Sequence, residues 1–222
     1  MSTTPKLIAD LLTGIDRFNP EHLPKLEQYV NEQVANGTYD REANLTVLKL
    51  YQFCPHLYQP EIVMNIIMKA ITQLPMTDLA LSKYLLDCRK MEEESLRGIL
   101  YLGDLLERCN FREFWIELHD NYEDKIEGFL GFEDSIRNYI SYIVGLTYQR
   151  ISRDLLKSFM GIANEVEFQK WLAKNDWIDK NDGYVFICSH EKNLRNNTEE
   201  DPITLDSIIS IADVFRPKEI GF

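Results

Sequence analysis

The chain has 222 residues, 45% of them hydrophobic and 11% aromatic, with 24 Lys and Arg against 36 Asp and Glu for a formal net charge of −12. A chain of this length buries roughly 70–75% of its unfolded surface, so it holds a core without disulfides or metals. The acid excess repels phosphate backbones unless a basic patch is set apart, and no apolar run reaches the length of a membrane span.

The N-terminus, MSTTPKLIADLLTGIDR, lacks a charged leader followed by an apolar core and a small-residue cleavage site, which points to the cytoplasm, with a nuclear pool allowed. Cys54, Cys88, Cys109 and Cys188 lie far apart and form no CxxC pair. In a reducing compartment they read as buried free thiols.

Helical spacing dominates the first two thirds. Glu21 to Asn36 places Leu23, Leu26, Tyr29, Val30 and Val34 near one face, and Gly37 can end that helix. Asp40 can cap a helix through Tyr51 whose apolar residues lie on several sides, as in a helix between neighbours. Pro60 suits the first turn of the next helix, where Ile62, Val63, Ile66, Ile67, Ala70 and Ile71 make a wide stripe ending before Pro75. Thr77 or Asp78 opens a helix expected to reach about Arg89, with Leu81, Tyr84, Leu85 and Cys88 inward. Two more follow, over about Glu94 to Cys109 and around Phe111, Phe114, Trp115 and Leu118. The helices recur about every 18–20 residues, which fits a stack of helical hairpins and equally an irregular bundle.

Phe132 to Gln149 is the longest predicted helix, with Glu133 and Asp134 in its first turn and Arg150 past its end, both favourable to the helix dipole. From Ser152 the pattern changes. Ser152 can cap a helix carrying Leu155, Leu156 and Phe159 inward and stopped by Gly161. Asn164 and Glu167 have capping-box spacing before a helix holding Phe168, Trp171 and Leu172. Trp177-Ile178 and Tyr184 to Cys188 then read as a hairpin turned through Asp182-Gly183. Helix, turn, helix and hairpin make a winged helix. Its second helix sets Glu165 and Glu167 against Lys170 and Lys174, and its wing adds Asp179 and Asp182, so the module reads as a binder of protein rather than DNA. The alternative, a nucleic-acid-binding winged helix, would use Lys170, Lys174 and Lys180. Residues 189–202 are polar and read as a linker, and Thr204 can cap a last amphipathic helix with Leu205, Ile208, Ile209, Ala212 and Phe215 on one stripe.

Catalytic constellations are not evident. His22, His56, His119 and His190 are scattered, with no HExxH, GxSxG, Walker loop or GxGxxG. The DKNDG segment at Asp179 to Gly183 has the wrong spacing for a calcium loop and reads as a solvated turn. The aromatic groups Tyr51, Phe53 and Tyr58, and Phe111, Phe114 and Trp115, read first as core between hairpins and second as a partner groove. No catalytic residue, metal or cofactor is therefore expected.

Several long strings narrow this reading. GIDRFNPEHL from Gly14, YDREANLTVLKLYQFCP from Tyr39, ILYLGDLLE from Ile99, GFEDSIRNYI from Gly131, VGLTYQRI from Val144 and VFICS from Val185 resemble, in the same order, subunit k of eukaryotic translation initiation factor 3, a family related to the PCI module. The resemblance implies a mainly α fold: a helical-repeat domain of HEAT- or TPR-like hairpins over 1–130, a winged-helix domain with a small β-hairpin over 131–190, a PCI-like module spanning about 40–204, and a linker with a C-terminal amphipathic helix over 191–222. It implies a non-catalytic scaffold subunit, partnered by other subunits of that factor, especially subunit l, and by the small ribosomal subunit through the complex. The composition adds no membrane partner, and the acids beside Lys170, Lys174 and Lys180 argue against direct nucleic-acid binding, with RNA contact inside a ribosomal assembly a separate, open matter. A PCI subunit of another assembly, the proteasome lid or the signalosome, is the related alternative. In such modules winged helices and C-terminal helices make the contacts. The candidate partner-binding residues are Tyr184, Val185, Phe186 and Ile187, read as a strand open to strand addition, and Leu205, Ile208, Ile209, Ala212 and Phe215 on the last helix.

Overall fold

A computed structural model describes residues 5–126, 128–180 and 182–189. The candidate stripe Leu205, Ile208, Ile209, Ala212 and Phe215 lies outside the described residues. The described residues through Ile187 form one compact unit.

Twelve α-helices and three strands run through the described residues in the order the residue patterns suggest, with one expected helix split in two, the short helices Lys6–Leu11 and Glu123–Ile126 added, and one strand added. The helices are α1 (Lys6–Leu11), α2 (Leu23–Asn36), α3 (Arg41–Phe53), α4 (Pro60–Ile71), α5 (Asp78–Leu85), α6 (Cys88–Met91), α7 (Glu94–Glu107), α8 (Phe111–Asn121), α9 (Glu123–Ile126) and α10 (Phe132–Thr147). Then come β1 (Arg150–Ser152), α11 (Arg153–Met160), α12 (Glu165–Lys174), β2 (Ile178–Asp179) and β3 (Tyr184–Phe186).

The start and stop signals act as their chemistry dictates. Gly37 takes the left-handed conformation that ends α2, with φ +66°. The Asp40 carboxylate accepts from the Ala43 amide at 3.1 Å and opens α3. Pro60 is the first residue of α4. Consecutive helices then pair as α2 with α3, α4 with α5 and α7 with α8, and these pairs stack through α2 on α4, α4 on α7 and α3 on α5. Among the two sequence-level alternatives this is the hairpin stack. α4 sits innermost, and Val63, Ile66, Ile67 and Ile71 on it are fully enclosed.

Buried polar groups fix the register of the first hairpins. The Gln33 amide donates to Asn44 Oδ1 at 3.0 Å and accepts from Asn44 Nδ2 at 3.2 Å, while Gln33 Oε1 also takes the Asp40 amide at 2.8 Å. Glu27 accepts from the Tyr51 hydroxyl at 2.7 Å and from Gln59 Nε2 at 2.9 Å. Burial and that carboxylate push the Tyr51 phenol well above its usual range. Asp78, at the first turn of α5, is buried and ion-paired with Arg41 at the first turn of α3. Satisfied groups of this kind select one alignment of helices where apolar contacts alone would permit several.

One expected helix is two. α5 stops at Leu85, Leu86 is extended, and Asp87 starts α6 by accepting from the Arg89 amide at 3.0 Å. Three inward assignments are corrected: Leu81, Tyr84 and Cys88 face solvent, Tyr84 with 84% of its surface exposed, and the Cys109 thiol, expected buried, is exposed too. The face that α5 buries carries Asp78, Leu79 and Ser82, and the helix packs on α3 and α4.

Candidate functional site: the winged-helix face and its anchorage

Ser152 accepts from the Leu155 amide and caps α11, and Gly161 closes it in the left-handed conformation, as the sequence suggests. Asn164 opens α12 by accepting from the Val166 amide at 2.9 Å. The capping box expected with Glu167 does not form. The Glu167 carboxylate instead faces Arg137 Nη1 at 3.5 Å, a stronger electrostatic partner than a backbone amide.

The sheet has three strands in the order β1-β3-β2, all antiparallel. β1 was not foreseen: three residues directly following a long helix give too little alternation to be read as a strand. Its presence makes β3 the central strand, with Val185 opposite Ile151 on one side and Asp179 on the other. This corrects the strand-addition reading of Tyr184 to Cys188, since the ladder hydrogen bonds of Tyr184 to Phe186 are used within the sheet. The open edges are those of β1 and β2.

The alternation of β3 divides its side chains. Val185 is fully buried and Ile187 is 6% exposed, so both belong to the core of the wing. Tyr184 and Phe186 point to the opposite, outer face, where Phe186 is flanked by Arg150 and by the exposed Ile178. Cations lie over both rings: Arg150 at 4.1 Å from the Tyr184 centroid and Lys180 at 5.2 Å from that of Phe186. Lys174 lies 4.0 Å from the Trp171 ring and donates to Asn138 at 2.8 Å. The acids of the DKNDG turn serve as ion-pair partners. Asp182 bonds Arg150 at 2.8 Å, and the partly buried Asp179 bonds Arg153 at 2.7 Å. Arg153 and Lys157 also converge on Glu165, whose carboxyl is held down at about 2, first by the Lys157 hydrogen bond and also by Gln169. Among the described residues no group of three or more His, Cys, Asp or Glu side chains is placed to hold a metal.

The winged helix is anchored through residues that the sequence offers as core or partner groove, Phe111 and Trp115, and through one it does not single out, Arg137. Trp115 on α8 donates from Nε1 to the Phe159 carbonyl of α11 at 2.8 Å. Arg137 on α10, 7% exposed, stands 5.1 Å from the Trp115 ring, donates from Nε to the Met160 carbonyl at 3.1 Å and bonds Glu133 at 2.9 Å. Phe111 meets Phe159 and Tyr139 edge to face. The signal for Arg137 was an arginine inside the apolar stripe of the longest helix, beside Ile136 and Tyr139.

Comparison with known proteins gives the wider relationship. Residues 57–197 match the model of the CSN8/PSMD8/EIF3K family. The chain is 45% identical over 204 residues to the eukaryotic translation initiation factor 3 subunit K of Xenopus tropicalis, covering 92% of this chain and 93% of that one. It is 46% identical to the subunit K of Homo sapiens, with the same coverage. It is 38% identical over 201 residues to that of Drosophila sechellia, covering 90% of each chain. With its hairpin stack, winged helix and this likeness over nine tenths of its length, the chain belongs to the CSN8/PSMD8/EIF3K family, on its eukaryotic initiation factor 3 subunit K branch.

Proposed function

We propose that this chain is a non-catalytic subunit of the eukaryotic translation initiation factor 3 assembly and supports preinitiation complexes on the small ribosomal subunit from within that assembly, in the cytoplasm. The observation that carries this reading is the end-to-end identity to proteins named as subunit K. The chain acts through surfaces. Its helical-repeat part, to about residue 130, carries a winged helix from 131 onward, and the outer wing face with Tyr184 and Phe186 meets a neighbouring subunit, foremost subunit l. The stripe of Leu205, Ile208, Ile209, Ala212 and Phe215 joins helices of neighbouring subunits by its apolar side. The cations over Tyr184 and Phe186 support a protein partner as well: they keep the rings oriented and leave their edges available for contact.

Co-expression with subunit l tests the interface. The expected result is a binary complex that survives a moderate salt wash, is weakened by Tyr184→Glu, and is released by Ile208→Asp with Phe215→Asp while the variant chain still melts cooperatively. A complex unaffected by both sets of changes would place the interface elsewhere. No complex at all would remove subunit l as the partner.

A further inference from the structure

We draw no further inference here: the strongest candidate, the exposed apolar patch at the C-terminal end of α3 where Phe53 meets Phe18 edge to face, carries none because nothing in the structure shows what covers it.

Discussion

The Trp115 indole lies so close to the backbone of Gly161 that a β-carbon at Gly161 would come within 2.6 Å of the ring. The contact joins α8 of the hairpin stack to the end of α11, and the same indole hydrogen-bonds the Phe159 carbonyl. Gly161 also holds φ at +62°, a conformation costly for any residue with a side chain. Both demands fall on one residue. Gly161→Ala should cost about 2–4 kcal/mol, part from the backbone and part from overpacking against the ring. Denaturant melts check this, and Trp115→Phe in the same chain should relieve part of the penalty, so that the two changes are less than additive.

Trp115→Ala should cost about 3–5 kcal/mol through the loss of a buried indole and its hydrogen bond. Trp171→Ala should cost a similar amount, since that ring is 7% exposed beneath Lys174. If α8, α10 and α11 share one core, the melt of each variant remains a single transition. Two separated transitions would show that the winged helix unfolds alone.

The Gln33–Asn44 amide pair gives a second stability test. Asn44→Leu leaves the buried Gln33 amide without its partner and should cost about 1–3 kcal/mol. Converting both to apolar residues should recover part of the loss, the unrecovered part reflecting the Asp40 amide that Gln33 also serves.

Lys69 makes a pH prediction. It lies on α4, is 4% exposed, and burial pushes its ammonium down to about 8. In the unfolded chain the group keeps its ordinary value of 10.5. Between these values the unfolded state binds more protons, so stability rises with pH; below about 8 the cost of the buried charge is fully present. Lys69→Met should therefore stabilise the protein by about 1–3 kcal/mol at neutral pH, and this advantage should shrink as pH rises toward 10. The comparison between variant and parent removes the opposing effect of the tyrosines that burial pushes upward, such as Tyr29 and Tyr58 at about 12.

How far the sequence could be read depended on how local each signal is. Gly37, Asp40, Pro60, Ser152 and Gly161 announce helix ends because caps act within one turn, and each is found at such an end. The two helices and hairpin of the wing were legible for the same reason. β1 was not, since its partner β3 lies more than thirty residues away and only pairing defines it. The split of α5 from α6 hinged on Asp87, whose capping role competes with a helical pattern that otherwise continues. The partner-binding reading took Tyr184, Val185, Phe186 and Ile187 alike, whereas the pleat separates them: Tyr184 is exposed, and Val185 and Ile187, on the opposite face of the same strand, belong to the core. The Trp115–Gly161–Arg137 cluster brings three helices together, and no spacing in the chain encodes such a meeting.

Work as a bound subunit of the initiation factor 3 assembly is checked by quantitative mass spectrometry of the complexes recovered on tagged full-length chain at native salt. The other initiation factor 3 subunits should be recovered in near-equal amounts, with subunit l the last to leave as salt is raised. Recovery of the chain alone, or with a constant set of subunits from the proteasome lid or the signalosome, would contradict it.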